Sequence, residues 1–236
     1  MKILAFESSA VSASVALTED DFLIAQSFQN CGLAHSRTLL PLAENLLHNC
    51  GLSWDDIDAF AVAHGPGSFT GVRIGVATIK GLAMGTGKPC VGVSTLESMA
   101  WGIRVLRAPV CCVMDARAGQ VYNALFDLAD GTPARLCPDR AISLDALAEE
   151  ICSSPYFLVG DGAELCYNKI KDRCTRLTLL PPEYRYPTGY GVAAAALPLL
   201  LSGRRLVPQQ LDAHYLRKPQ AERERLARLS AGAATK

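Results

Sequence analysis

What the sequence lacks narrows it first. Positive and negative side chains cancel, 23 Lys+Arg against 23 Asp+Glu for a formal net charge of +0. No overall field therefore draws the chain to nucleic acid or an anionic membrane, and any RNA it serves is expected to be held mainly by something else. Long apolar runs are missing. The longest, Val192 to Leu201, is ten residues and contains Pro198, well short of the ~20 that cross a bilayer, and it reads as a core helix. The first apolar stretch is broken at Glu7, which a secretory signal would not tolerate, so a cytoplasmic protein with no membrane contact is expected. The four histidines, His35, His48, His64 and His214, show no HxxH, HxxxH or HExxH spacing, so no metal site is expected. CxxC and GxSxG are also missing, which removes the usual redox and hydrolase signatures. No catalytic residue is expected in the chain alone.

Nine cysteines are present, but the number is odd and Cys111-Cys112 are adjacent in an apolar stretch. They read as reduced, mostly buried thiols. At 236 residues and 50% hydrophobic, the chain can bury a real core in one or two domains. Ile3 to Phe6, Ala13 to Leu17 and Phe22 to Phe28 read as strands of an antiparallel meander, with Glu7-Ser8-Ser9-Ala10 as a polar turn. From Ser36 the apolar positions Leu39, Leu42, Ala43, Leu46 and Leu47 recur at helical steps, with Gly51 as a stop. A strand over Ile57 to Ala63 runs into a glycine loop and a second helix, Val72 to Gly85. A second unit begins near Ala108, with strands Val110 to Met114 and Gln120 to Leu128 joined through Asp115-Ala116-Arg117-Ala118-Gly119, then a helix at Ser143 to Cys152 and a strand at Phe157 to Val159. The two halves read as a weak internal repeat. Their expected ranges are 1–106 and 107–219, with a charged, partly disordered tail at 220–236.

Three features could carry function. Gly65-Pro66-Gly67-Ser68-Phe69-Thr70-Gly71-Val72-Arg73-Ile74-Gly75 places glycines, Ser68 and Thr70 at a helix N-terminus, which suits either an anion such as phosphate or a tight capped turn. Along the following helix, Gly71, Gly75, Thr78, Gly81 and Gly85 line one face almost without side chains. Each interior glycine costs ~1 kcal/mol against alanine, so another helix is expected close by, the Leu39/Leu42/Leu46 helix being a candidate within the chain or across an interface. Glu7 and Asp115 are either paired carboxylates at an interlobe cleft or turn-capping acids.

The long glycine motif resembles the signature of the bacterial TsaB (YeaZ) family of tRNA threonylcarbamoyladenosine biosynthesis. Ile3-Leu4-Ala5, His35-Ser36 before Leu39-Leu40-Pro41, Gly92-Val93-Ser94-Thr95-Leu96, Asp115-Ala116-Arg117 before Val121-Tyr122, and Tyr215-Leu216-Arg217 follow in the family's order. Glu7-Ser8 stands where Asp-Thr is common. The resemblance implies an α/β, two-lobed actin/Hsp70-like (ASKHA) fold with mixed sheets flanked by helices. It also implies a non-catalytic subunit that supports TsaD, which transfers threonylcarbamoyl to the adenosine beside the anticodon of ANN-decoding tRNAs. TsaD would pair through the helices carrying Leu39, Leu42, Leu46, Gly71, Gly75, Thr78, Gly81 and Gly85. The ATPase TsaE would join, tRNA would be reached through the complex, and the isolated chain could form a homodimer. Nucleotide or anion binding would fall on Glu7, Ser8, Gly65, Gly67, Ser68, Thr70 and Asp115, with no cofactor held tightly and ATP/Mg entering only in the complex. The competing expectation is a free-standing ASKHA phosphotransferase using Glu7 or Asp115.

Overall fold

The structure is a computed structural model, and it describes residues 1–217; the tail expected at 220–236 lies outside the described residues. Strands β1 (Lys2–Glu7), β2 (Ala13–Glu19), β3 (Phe22–Gln29), β4 (Ala59–Ala63) and β5 (Cys90–Val93) form one mixed sheet in the order β3-β2-β1-β4-β5. The first three are antiparallel, and β1, β4 and β5 run parallel. A second sheet has the order β11-β10-β6-β7-β8. It uses β6 (Pro109–Asp115), β7 (Gln120–Asp127), β8 (Ala134–Arg135), β10 (Tyr156–Val159) and β11 (Leu177–Leu179), with β9 (Arg140–Ser143) also paired to β7. Here too one strand, β6, has an antiparallel partner on one side and a parallel one on the other. The weak repeat is thus a repeat of sheet topology.

Strand alternation decides the layers. On one face of the first sheet Leu4, Phe6, Phe60 and Val62 pack beneath α1 (His35–Asn49) and α2 (Phe69–Thr86). On the other, Ile3, Ala5, Ala59, Ala61 and Ala63 meet Val192, Ala193, Ala195 and Ala196 of α6 (Gly189–Leu201). Small side chains on both surfaces bring α6 close to the strands, and a Cβ on Gly189 would stand 2.5 Å from the Ala16 nitrogen. The second sheet is covered on one face by α4 (Leu144–Ile151) and α5 (Ala163–Ile170), and on the other by α3 (Thr95–Gly102). Helices α3 and α6 touch, with no room for a side chain at Gly191 against the Ser98 carbonyl. They form a shared middle layer between the sheets.

That layer corrects the expected lobe ranges. Helix α6 lies within 107–219 by sequence yet covers the first sheet, because a helix with nine buried positions needs apolar surface on more than one side. After it, Leu206 forms a bridge to Cys90 and Leu211 is buried with the first lobe's core. A reciprocal exchange places α3, from 1–106, against the second sheet. The cysteines were expected as reduced thiols; the structure sets Cys152, the C-cap of α4, against Cys174, close enough for that pair to form a disulfide. The other seven are free, and Cys31 is exposed. No helix among the described residues is long and apolar enough to cross a membrane.

Candidate site at the junction of the lobes

The end of β1 meets the glycine loop at the seam between lobes. Glu7 and Ser8 to Ala10 are buried. The Ser9 N–H and hydroxyl both donate to Glu7 Oε1 at 2.6 Å, whereas Glu7 Oε2 has no hydrogen-bond partner among the described residues. Burial drives the Glu7 carboxyl up to about 7; the Ser9 bonds pull it back and the nearby Asp161 charge adds to the rise. Asp161, in the turn after β10, is itself pushed up to about 6 by burial; the Asp115 N–H, donating to it at 3.3 Å, pulls it back, while the Asp115 charge adds to the rise. Asp115 accepts from the Arg117 N–H at 2.7 Å and pairs with its guanidinium at 3.3 Å. The acid whose charge bears on Glu7 is therefore Asp161 rather than the expected Asp115. The Gly160-Asp161-Gly162 turn signalled a bend, but only the parallel β6–β10 pairing carries it to the seam.

The glycines have a packing reason. The Ser68 N–H donates to Ser9 O at 2.7 Å, and a Cβ on Gly67 would come within 2.5 Å of the same oxygen. Alanine at 71 would overlap the Ser8 carbonyl, and at 75 it would lie 2.6 Å from Ser8 Oγ, which donates to Gly71 O at 2.9 Å. Ser68 caps α2 by accepting from the Gly71 N–H at 3.3 Å. Thr70 is exposed. The loop thus clamps the β1–β2 turn, and its Ser68 and Gly71 N–H groups are spent within the chain. The carboxyls of Glu7 and Asp161 are buried beside it, an acidic setting for any anion. Among the described residues, no three His, Cys, Asp or Glu side chains converge as metal ligands. A broad depression opens beside Asp161, lined by Glu164, Leu165, Asn168 and Lys169 of α5.

The glycine face of α2 divides. Gly71 and Gly75 point inward, Thr78 bonds its own helix at Ile74 O, and Gly81 and Gly85 have nothing within 4 Å of a built Cβ among the described residues. Leu39, Leu42 and Leu46 of α1 belong to the core, so they cannot themselves form a partner surface. The open part of α2 is Arg73, Ala77, Gly81, Met84 and Gly85, one face at helical spacing.

Two lobes of repeated topology, each a mixed sheet between helices and joined across an acidic seam, define the actin/Hsp70-like (ASKHA) class. The family model for TsaD, tRNA N6-adenosine threonylcarbamoyltransferase, matches residues 29–156. The Bacillus subtilis (strain 168) tRNA threonylcarbamoyladenosine biosynthesis protein TsaB is 33% identical over 174 residues, 73% of this chain and 76% of its own length. Its Escherichia coli (strain K12) counterpart is 43% identical over 133 residues, 53% of this chain and about half (55%) of the relative. A solved structure of YeaZ from Pseudomonas aeruginosa superposes with a TM-score of 0.80 at 25% identity, covering 91% of this chain and 99% of the other. The chain belongs to the TsaB family.

Proposed function

We propose that this chain acts in forming N6-threonylcarbamoyladenosine in tRNA as a non-catalytic subunit that binds TsaD through the outer face of α1 and α2. The observation that carries the reading is the open strip Ala77-Gly81-Gly85 on α2. A partner helix can approach its backbone closely there, and no described residue of the chain fills that space. Kinship with the TsaD model over residues 29–156 supports it, because related lobes present related helices to each other. In this reading TsaE joins the assembled pair, tRNA is reached through it, and ATP with Mg²⁺ enters only in that context. In this reading the same open face is where a second copy of the chain would pack when TsaD is absent.

Light scattering after size-exclusion chromatography, on the chain mixed with TsaD of its own organism, tests the pairing. The parent is expected to form a one-to-one complex that modifies tRNA when neither protein does so alone. Gly81→Leu is expected to fold normally and lose the complex. A Gly81→Leu chain that binds TsaD as the parent does would refute the assignment of the surface.

A further inference from the structure

Beyond the Cys90–Leu206 bridge the chain turns back across the seam. Leu211 is buried beneath α1 and α2, and Ala213 packs on the edge of that cluster. Only three residues later, Leu216 packs against the cluster containing Ala10, Met114 and Ala116. Polar contacts fix the path between these anchors. The His214 N–H donates to His64 O at 2.7 Å, and the His214 carbonyl occupies the space that a side chain at Gly65 would need. Tyr215 stacks on Phe69 with ring centroids 4.2 Å apart and planes at 5°, and Arg73 Nε donates to its hydroxyl at 2.9 Å. Arg217 Nη1 donates to Ala116 O at 2.7 Å, in the turn that follows β6. Asp212 pairs with Lys80 at 3.1 Å.

On the same seam, at the end of β1, Glu7 is 0% exposed, with one oxygen that has no hydrogen-bond partner among the described residues and with the charge of Asp161 bearing on it. Both carboxyls gain hydration if the seam opens, so an opening tendency is built in and must be opposed. We propose that residues 211–217 are a latch that holds the two lobes shut over Glu7, and that its release admits water and small polar solutes to the seam while the α3–α6 layer stays packed. The strap reaches both lobes within seven residues, so a single broken contact at its far end frees the seam side without dissolving either core.

Hydrogen exchange on the full chain and two variants tests this. Arg217→Met keeps an apolar stem but removes the bond to Ala116 O; Leu216→Ser removes the second-lobe anchor. Each is expected to speed exchange of the amides of residues 8–10, 65, 67 and 68 by about tenfold or more, the size set by losing one hydrogen bond from a charged donor. Residues 3–6 of β1, together with β4 and β6, are expected to keep their protection. Unchanged exchange of the amides of residues 8–10, 65, 67 and 68 in Arg217→Met overturns the latch. So does a loss of protection spread equally over β1, β4 and β6, which would make the strap ordinary core. If Leu216→Ser does not fold, Arg217→Met decides by itself.

Discussion

Replacing Gly71 by alanine adds one methyl to α2 where the Ser8 carbonyl already stands. The carbonyl cannot simply retreat, because Ser8 Oγ is tied to Gly71 O at 2.9 Å and Ser9 is doubly bonded to Glu7 at 2.6 Å. Forcing an extra group into a filled site costs about 1–3 kcal/mol, with the upper end expected when the obstacle is backbone. Against that stands the ~1 kcal/mol that alanine gains over glycine inside a helix. The net expectation is a loss of about 2 kcal/mol, or roughly 4–8 °C in Tm for a chain of this size. Gly81→Ala on the same helix receives the same propensity gain with open space around it, so its Tm is expected to rise by roughly 2–4 °C. Thermal unfolding followed by circular dichroism on the two variants and the parent reads the contrast. A Gly71→Ala protein as stable as the parent, or two variants shifted in the same direction, would refute the division of the helix into a clamped half and an open half.

The remaining predictions concern the seam, the core and the thiols. Glu7 titrates at about 7 when folded against 4.5 for a free side chain, so the folded state holds the proton more tightly. Its contribution to stability is full below about pH 4.5 and is lost as pH rises to about 7, by on the order of 3 kcal/mol. Glu7→Gln should therefore gain Tm relative to the parent progressively across that window, and a Tm difference independent of pH would count against it. Leu46→Ala should cost about 2–5 kcal/mol in urea unfolding, because the side chain is core rather than interface; selective loss of TsaD binding at full stability would contradict the assignment. Alkylation of protein denatured without reductant should label seven cysteines of nine, with Cys152 and Cys174 labelled only after reduction. Labelling of all nine would remove the disulfide.

Much of the local structure was legible because its signals are local. The short, continuously apolar runs of β1 and β2, the three- and four-residue steps of Leu39 to Leu47, and Ser143 before Leu144 place strands and helices within a few residues of where they lie. Helix α3 is weakly signalled along the chain, although Ser94 caps it by accepting from the Glu97 N–H at 3.3 Å. It is only eight residues long, and its apolar positions serve the other lobe. Asp161 is hidden for a related reason. An acid between two glycines reads as a turn, and nothing along the chain says that the turn ends beside Glu7.

The sequence by itself determined the two-part strand and helix order, the family and the positions where side chains are excluded, because periodicity, turn chemistry and motif spacing are written within one element. Only the tertiary structure decided what those positions face. It assigned Gly71 and Gly75 to a clamp on Ser8 and left Gly81 and Gly85 open, sent α6 to the first sheet, and brought the charge of Asp161 to bear on Glu7. Such contacts join residues that are distant in the chain, and which surfaces meet depends on how every layer packs at once.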